Sequence, residues 1–450
     1  MSIITTSRYK IIKDPVHGYI KIYNHELKII DTYAFQRLRR LKQLAVADLV
    51  YPGAVHTRFH HSLGVAHISE TIVREALRKL RLNMDDVERY VVISRIIALL
   101  HDIGHGPYSH TFEDYILYPR STTHEIIGAR IIEEHQELAE ALDKVLSEYG
   151  YRIKDLSQAI KSTSVEEWPF SSSITGDANE KALFYILKGA FGADLIDYLL
   201  RDSYYTGAGY GSGIDWYRIA HFTYIEGDKL VIDAKALEVF DQMLIARLHM
   251  FSTVYYHKTV RAASRFVGDI LRRIDELKLI DFNEAINNVE KYLLLDDYSI
   301  LFNSNVTKLP EIYDFLSRRI PYKAIAEHRI TLPELASPLE VLLSMSKNYV
   351  ESMIEEKIRS RGLELIKDRD FFIDTPKLPL NPMLGDEIIY IRDNTGYIYK
   401  RRVLELTWFH IPRSVSVIRL YIHRSKTKEA EKLRTIFREI FEGGELRSFY

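Results

Sequence analysis

The chain has 450 residues, no cysteine and nearly balanced charge, with 61 lysines and arginines against 62 acidic residues. The absence of cysteine excludes disulfides, thiolate nucleophiles and cysteine-type zinc sites, so any metal must be held by nitrogen and oxygen. A net charge of −1 makes nucleic acid an unexpected partner, because general nucleic-acid binders need a positive excess. No apolar run approaches the roughly 18 residues that span a membrane, and no signal pattern is present, which predicts a cytoplasmic protein without membrane contact.

The N-terminal segment predicts two short extended stretches, over residues 9–12 and 19–23, around a turn at residues 14–18. Asp31 then has the residue type of a helix N-cap. Apolar residues after it recur at helical spacing and predict a helix, namely Phe35, Leu38, Leu41 and Ala45.

Helical spacing of apolar residues dominates the chain up to about residue 300. Helices are predicted from His61 onward, over 91–103, after a cap at Thr123, over 183–204 and, as one long helix, over 237–279. The segment 91–103 is apolar on nearly every face and therefore predicts a central helix. Residues 151–180 predict an irregular surface excursion, and residues 207–213 a glycine-rich loop.

The composition changes after residue 300, where strands are predicted over 387–392, 397–401 and 416–423, followed by a helix over 426–441. A chain of this length is expected to fold as more than one lobe. We therefore predict a mainly α protein, with a helical lobe over residues 1–300 that carries the chemistry and a smaller α+β lobe over 301–450.

One polar pair stands out at the end of the most apolar helix, where His101 and Asp102 precede Gly104. Such a pair is costly to bury without a partner, and a metal ion is an economical partner for imidazole and carboxylate groups. The unpaired carbonyls of a helix C-terminus also favour a cation. The alternative is a hydrogen-bonded core pair. Further ligands must come from other helices, where the candidates are His61 and Asp194, with Asp197 competing as a salt-bridge or helix-surface residue.

The order His61, His101-Asp102, Asp194 resembles the HD-domain superfamily of metal-dependent phosphohydrolases, whose signature is H…HD…D on a helical core. Further segments are similar to its dNTP triphosphohydrolase branch, which includes bacterial dGTPase-like enzymes and a mammalian protein with SAM and HD domains: residues 14–18, 35–39, 51–54, 101–110 and 198–202. The resemblance covers roughly residues 8–330 and is loose thereafter. It implies an HD-domain helical core and a metal held by His61, His101, Asp102 and Asp194.

The same resemblance implies a set of catalytic side chains beside the metal. His110 would act at the scissile phosphate, supported by Glu113 and His124. His105, beyond the helix break, and Arg58, three residues before His61, would neutralise phosphate charge. The alternative is that these histidines cap helices and that Arg58 is an ordinary surface arginine.

The resemblance also implies a substrate site, formed by Gln43, Leu44, Tyr198, Asp202, Arg247, Tyr255 and Lys258. Gln43 and Asp202 would hold a deoxyribose 3′-hydroxyl, and Leu44 and Tyr255 would leave no room for a 2′-hydroxyl. Two positions depart from the mammalian pattern: Leu195 replaces a phosphate-binding lysine, and Phe251 replaces a histidine. Tyrosines at helical spacing could instead belong to the core.

A second site is implied by residues similar to those that bind an activating guanine nucleotide between subunits, namely Lys10, Asp31, Gln36, Arg39 and Arg319. Such a site would require a homo-oligomer, either a dimer or a tetramer, and an activating GTP or dNTP. Asp31 could instead be only a helix cap, and Arg39 only a solvated helix residue.

Taken together, the sequence predicts metal-dependent hydrolysis of deoxynucleoside triphosphates to deoxynucleoside and tripolyphosphate. The alternatives are a phosphodiesterase or nucleotidase that acts on another phosphate ester, and a nucleotide-sensing binding protein. Two imidazoles and two carboxylates accept Mg, Mn, Fe, Ni or Zn, so the pattern leaves the metal open.

Overall fold

The computed structural model describes residues 8–176, 178–330, 347–379, 388–403 and 414–441. The α-helices are α1 Asn24–Ile30, α2 Tyr33–Gln36, α3 Arg58–Arg78, α4 Met84–Leu100, α5 His110–Phe112, α6 His124–Glu134, α7 Gln136–Glu148, α8 Ile153–Lys161, α9 Ala182–Lys188, α10 Ala193–Thr206, α11 Trp216–His221, α12 Leu237–Met250, α13 Lys258–Glu276, α14 Phe282–Asn287, α15 Val289–Leu293, α16 Asp297–Leu301, α17 Pro310–Leu316, α18 Lys347–Ser360 and α19 Ala430–Phe441. The strands are β1 Tyr9–Asp14, β2 Gly18–Tyr23, β3 Ser173–Thr175, β4 Ala178–Asn179, β5 Thr223–Glu226, β6 Lys229–Asp233, β7 Tyr322–Ile330, β8 Phe371–Asp374, β9 Lys377–Pro379, β10 Ile388–Arg392, β11 Ile398–Arg402 and β12 Ser414–His423.

The centre of the molecule is the packed pair α3 and α4, and the predicted central helix is confirmed as α4. It starts earlier than expected because the side chain of Asn83 accepts a hydrogen bond from the backbone N–H of Asp86 at 2.9 Å, which caps the helix. From Tyr90 to Leu100 every residue is buried, and His101 ends the helix as its C-cap. This helix therefore delivers the His101-Asp102 pair from inside the core.

The N-terminal hairpin is confirmed, with β1 and β2 paired antiparallel from Tyr9 opposite Tyr23 to Asp14 opposite Gly18. The helix predicted to start at Asp31 is wrong. Asp31 is the C-cap of α1 instead, and Thr32 caps the short α2 by accepting from the backbone N–H of Phe35. A 3₁₀ turn over Arg37–Arg40 then ends the helical path. Residues 41–57 form loops around a second 3₁₀ turn, Ala47–Leu49, and part of this segment lines the cavity described below.

Two long predicted helices are broken in the structure. The helix over 183–204 is divided into α9 and α10 at Gly189 and Gly192, where a Cβ would lie 2.4 Å and 2.6 Å from a backbone carbonyl oxygen. The helix over 237–279 is divided into α12 and α13 by a π-helical turn, Phe251–Tyr255. The predicted irregular segment 151–180 is also partly wrong, since it contains α8 and the short β3–β4 hairpin.

The C-terminal elements agree with the predicted strands and helix and confirm the fold class, mainly α with a smaller sheet-containing C-terminal region. Strands β7, β12 and β8 form one sheet, which packs with α18 and α19 around a second apolar core. In another sheet β10 lies parallel to β6, with Tyr390 opposite Val231. The lobe boundary at residue 300 stays a prediction. None of the helices in the described ranges is long and apolar enough to cross a bilayer.

Candidate metal centre and active site

The four predicted metal ligands come from three helix ends that meet at one point. Arg58 and His61 lie in the first turn of α3, and Asp194 lies in the first turn of α10. His101 and Asp102 follow the last residue of α4. Helix termini bring side chains together without interrupting a helical hydrogen-bond ladder, so three separate segments can share one site.

The donor atoms of these side chains lie within a few ångströms of each other. His61 Nε2 is 3.0 Å from Asp194 Oδ1 and 3.9 Å from Asp102 Oδ2. His101 Nε2 is 3.4 Å from Asp102 Oδ1 and 3.8 Å from Asp194 Oδ1. The structure therefore brings together the two imidazoles and two carboxylates that the sequence singled out.

The residues fit a divalent cation. His101 Nδ1 donates to the carbonyl oxygen of Ala98 at 2.8 Å, which leaves its Nε2 as a lone-pair donor. Among the described residues, this buried Nε2 has no hydrogen-bond partner, and a buried polar atom of that kind needs an explanation. Nitrogen and oxygen ligands of this type suit metals from Mg to Zn. A cation among these four side chains would satisfy the free nitrogen.

Opposing charges set the protonation of the ligands. Burial would raise the pKa of Asp102, but Arg58, His101 and His105 outweigh it and hold the pKa well below its usual range. Burial likewise lowers the pKa of His61, yet its hydrogen bonds to Asp194 and Asp197 raise it to about 10. A cation at His61 Nε2 would displace that proton, because metal ligands bind deprotonated.

A second group of ionisable side chains lies beside the metal ligands, on and after α5. Glu113 accepts from His110 Nδ1 at 3.0 Å and from His124 Nδ1 at 2.7 Å, so one carboxylate holds both imidazoles. Burial would raise the pKa of Glu113, but its hydrogen bonds to these two histidines lower it strongly. The His105 ring stacks on His124 with centroids 3.8 Å apart. The side chain of His110 is 73% exposed, which leaves it accessible.

The loop that carries His110 is held in an unusual conformation. Tyr108 and Ser109 have φ values of 58° and 54°, a region that non-glycine residues seldom adopt. The buried carboxylate of Asp297 fixes this loop by accepting from the backbone N–H of Tyr108 at 2.7 Å and of Lys42 at 2.8 Å. Strained backbone of this kind persists only where surrounding contacts determine it.

Three of the four predicted metal ligands, His61, Asp102 and Asp194, open onto a cavity of about 750 Å³, whereas His101 and Glu113 do not line it. Predicted site residues that line it are Gln43, Leu44, Arg58, His61, Asp102, His105, His110, His124, Asp194, Tyr198, Asp202, Arg247 and Tyr255, together with the departure position Phe251. The cavity volume falls in the range of small-molecule sites.

The predicted sugar-binding side chains form a hydrogen-bonded wall of that cavity. Asp202 accepts from Tyr255 Oη at 2.7 Å and from His56 Nε2 at 2.7 Å. Arg247 donates to Tyr198 Oη. Burial and the Asp202 charge raise the pKa of Tyr255 well above its usual value, so it remains a donor. Gln43 Oε1 is buried without a hydrogen-bond partner among the described residues, which leaves an acceptor for a ligand.

Some predicted residues are not at the cavity. Lys258 is exposed at the start of α13 and is absent from the cavity wall, and Leu195 is buried in the core. The predicted regulatory residues lie on the surface instead. Arg39 donates to Gln36 Oε1 at 2.8 Å and lies over the Phe59 ring, while Lys10 and Arg319 are exposed on β1 and after α17. Their roles stay predictions.

Of the two alternatives predicted for Asp197, the salt bridge is confirmed, because Asp197 is fully buried and pairs with His61 and Arg201. Sequence reasoning missed two other features of the site. Asp297 fixes the His110 loop, and Arg261 makes a two-point ion pair with Asp374 on the cavity wall. No local pattern signals these contacts, because Asp297 lies 189 positions from Tyr108 and Arg261 lies 113 positions from Asp374.

Comparison with known proteins agrees with this geometry. A family model described as HD domain matches residues 58–173, and one described as HD associated region matches residues 214–388. An uncharacterized protein of Methanocaldococcus jannaschii, MJ1154, is 30% identical over 430 residues, covering 93% of this chain and 80% of that protein. A phosphohydrolase from Bacteroides thetaiotaomicron has a crystal structure with TM-score 0.68 and 25% identity, covering 93% of this chain and 100% of that one.

Deoxynucleoside triphosphate triphosphohydrolase SAMHD1 of Gallus gallus is 30% identical over 364 residues, 73% of this chain, and the chain spans 58% of its length. The protein therefore belongs to the HD-domain family of metal-dependent phosphohydrolases. Within that family it falls in the dNTP triphosphohydrolase branch, so the predicted membership is confirmed.

Proposed function

We propose that this protein hydrolyses deoxynucleoside triphosphates to a deoxynucleoside and tripolyphosphate, with a divalent metal ion as cofactor. The observation that carries the proposal is the convergence of His61, His101, Asp102 and Asp194. Three of them, His61, Asp102 and Asp194, line a cavity of about 750 Å³ that also holds aromatic, carboxylate and guanidinium side chains. The similarity to SAMHD1 proteins, which are named for this activity, supports it.

His61, His101, Asp102 and Asp194 would hold the cation, which supplies a Lewis acid that polarises a phosphoryl oxygen. Arg58 and His105 flank Asp102, through the Arg58 guanidinium and a 3.3 Å contact from His105 Nε2. Both line the cavity. Burial and the charge of Arg58 lower the pKa of His105 well below its usual value, so Arg58 would offer positive charge and neutral His105 an N–H donor to the non-bridging phosphate oxygens.

Hydrolysis breaks the bond between the α-phosphorus and the 5′-oxygen, and the leaving oxygen needs a proton. His110 would donate it, because Glu113 engages its Nδ1 at 3.0 Å and leaves Nε2 to exchange a proton with substrate. His124, on the other oxygen of Glu113, keeps that carboxylate oriented.

Asp202 and Gln43 would hold the 3′-hydroxyl of the sugar, while Leu44 and Tyr255 limit the space beside its 2′-carbon. The bond from Tyr255 Oη to Asp202, 2.7 Å long, fixes both side chains. Leu195 and Phe251 stand where the mammalian pattern has a lysine and a histidine. Because neither carries a positive charge, binding of a triphosphate is expected to be weaker. For this reason the assay must include other phosphate esters.

The direct test incubates the purified protein with each of the four dNTPs, and in parallel with other phosphate esters, in the presence of Mg²⁺ or Mn²⁺ and with and without GTP. Release of deoxynucleoside together with tripolyphosphate is the expected result. Release of inorganic phosphate or a nucleoside monophosphate would instead support a nucleotidase or phosphodiesterase.

Asp102→Ala separates catalysis from binding. We expect this variant to lose turnover while nucleotide still raises its melting temperature, because ligand binding stabilises the folded state by mass action. Asp143→Ala, an exposed acid on α7, is the matched control and should behave as wild type. A wild-type protein that binds nucleotide but turns over none with any metal or activator would be a nucleotide sensor.

Activation by GTP or a dNTP belongs to the same proposal. Asp31, Gln36 and Arg39 lie close in sequence on one surface segment, and Lys10 and Arg319 are exposed. A guanine nucleotide bound between subunits would join such residues in a homo-oligomer. Size-exclusion chromatography with and without GTP should show an increase in mass, which Arg39→Ala should diminish.

A further inference from the structure

A buried group of charges directly behind the metal ligand His61 has no role in the mechanism above. Its members are Asp14, His17, Asp197 and Arg201, none of which lines the cavity. Asp197 and Arg201 are fully buried and Asp14 is 4% exposed. Ionic groups are expensive to bury, so a fully buried set calls for an explanation.

Asp197 joins this group to the metal ligand. Its Oδ2 accepts from His61 Nδ1 at 2.8 Å, on the opposite side of the imidazole from the Nε2 that faces Asp194. Its Oδ1 accepts from His17 Nε2 at 2.6 Å. The ring of His61 is thus held at one nitrogen while the other is presented to the site.

Arg201 and the hairpin turn hold Asp197 in turn. Arg201 donates from Nε to Asp197 Oδ2 at 2.8 Å and from Nη1 to Asp14 Oδ2 at 2.8 Å. The other oxygen of Asp14 accepts from the backbone N–H groups of Val16 and His17, both at 2.9 Å. An unbroken series of hydrogen bonds therefore runs from the turn between β1 and β2 to the metal ligand.

The backbone of α3 makes room for this arrangement at Gly64. A Cβ there would lie 1.9 Å from Asp197 Oδ1 and 2.4 Å from Arg201 Nη2. Any larger residue would push the carboxylate away from His61. The β1–β2 turn, α3 and α10 therefore pack so closely that they fix the position of the Asp197 carboxylate.

We propose that Asp197 is a positioning residue for the metal ligand His61, and that Arg201, Asp14 and His17 hold Asp197 in place. This inference rests on the proposed metal centre. An anionic acceptor at Nδ1 fixes the imidazole tautomer and orientation and makes Nε2 a stronger donor to a metal. The turn at residues 14–18 would thereby help to position a metal ligand without contacting the substrate.

The test measures the dissociation constant of Mn²⁺ from the metal-stripped full chain by titration calorimetry, without substrate. Loss of a partner behind a metal-binding histidine typically weakens metal affinity by about 10- to 100-fold. We expect that loss for Asp197→Asn and a smaller one for His17→Gln. Activity of both variants should recover at high Mn²⁺, with KM for substrate unchanged.

Glu26→Gln is the matched control, because Glu26 is a fully buried acid bound to Arg95 and lies outside the cavity wall. It should lower stability and leave the Mn²⁺ constant unchanged. If folded Asp197→Asn binds Mn²⁺ as tightly as wild type, the inference is overturned. Should that variant not fold, His17→Gln decides by the same criterion.

Failure of the proposed function gives a different result. A wild-type protein that binds Mn²⁺ but hydrolyses no dNTP refutes the proposed activity, while the difference in Mn²⁺ affinity between wild type and Asp197→Asn still supports the positioning role. A wild-type protein that binds no Mn²⁺ overturns both.

Discussion

The two histidine groups at the cavity differ in how firmly their geometry is held. Among the proposed metal ligands, the side chain of His61 is 1% exposed and its Nδ1 is hydrogen-bonded to the buried carboxylate of Asp197. His101 Nδ1 is bonded to the backbone carbonyl of Ala98. In the second group, the side chain of His110 is 73% exposed and, within the described part of the chain, is hydrogen-bonded to Glu113 alone. A metal centre requires fixed donors, whereas a proton donor must reach a leaving group and solvent. Under the proposed roles, the difference in burial between His61 and His110 matches the difference in their chemical tasks.

The largest effect on activity is expected from removing a ligand of the proposed metal centre. Asp194→Asn removes a ligand charge and should lower kcat by at least about 10³-fold, since a polarising cation contributes several kcal/mol to a transition state. Steady-state dNTP hydrolysis measures it. Asp143→Asn, exposed on α7, should keep full activity. Retention of more than a tenth of wild-type activity by Asp194→Asn would contradict the ligand assignment.

The exposed member of the second group, His110, predicts a loss of rate without a loss of stability. His110→Gln should lower kcat by about 10²- to 10⁴-fold, the usual contribution of a general acid. Its melting temperature should stay close to wild type, because exposed substitutions seldom change stability by more than about 0.5 kcal/mol. His221→Gln, another exposed imidazole bonded to a glutamate, is the control. Equal rates for both variants would remove His110 from the mechanism.

The buried carboxyl group of Asp297, which holds the loop that carries His110, predicts that the stability of the protein depends on pH. Burial raises the pKa of Asp297 from 3.8 to about 6, despite the N–H donors of Lys42 and Tyr108. The folded state then keeps a proton that the unfolded chain releases, so stability falls as pH rises from about 4 to 6, by at most about 3 kcal/mol. Urea midpoints against pH should show this fall in wild type and not in Asp297→Asn. Parallel curves would refute it.

The smallest effect on stability is expected at Arg319, far from the proposed metal ligands and from the His110 group. Arg319 and Asp314 are 3.7 Å apart with side chains 63% and 47% exposed, so Arg319→Ala should change the free energy of unfolding by about 0.5 kcal/mol or less. If the regulatory prediction is correct, the same variant loses stimulation by GTP. Denaturation and a GTP titration of dNTP hydrolysis measure the two properties separately.

Local signals predicted the helices that carry the site. The Thr123 cap and the apolar run of α4 are encoded within a few residues, so their helices were recognisable. The break inside 237–279 was not, because Phe251 and Tyr255 continue the apolar spacing through the π-helical turn. Asp31 was misassigned because Thr32, the next residue, is an equally good cap.

The metal ligands were predictable as an order of residue types, but their support was not. Asp194 and Asp197 lie one turn apart on α10, and only tertiary packing decides which faces the cavity and which lies behind His61. Asp297 is separated from Tyr108 by 189 positions, and its bond to that backbone N–H has no local pattern. Contacts of this length are determined by the whole fold.

All four proposed metal ligands and the charges behind His61 lie between Asp14 and Arg201, whereas the cavity wall also needs residues as late as Asp374. Because a ribosome releases the chain from its N-terminus, every donor of the proposed metal centre is synthesised before the polypeptide that completes the substrate cavity.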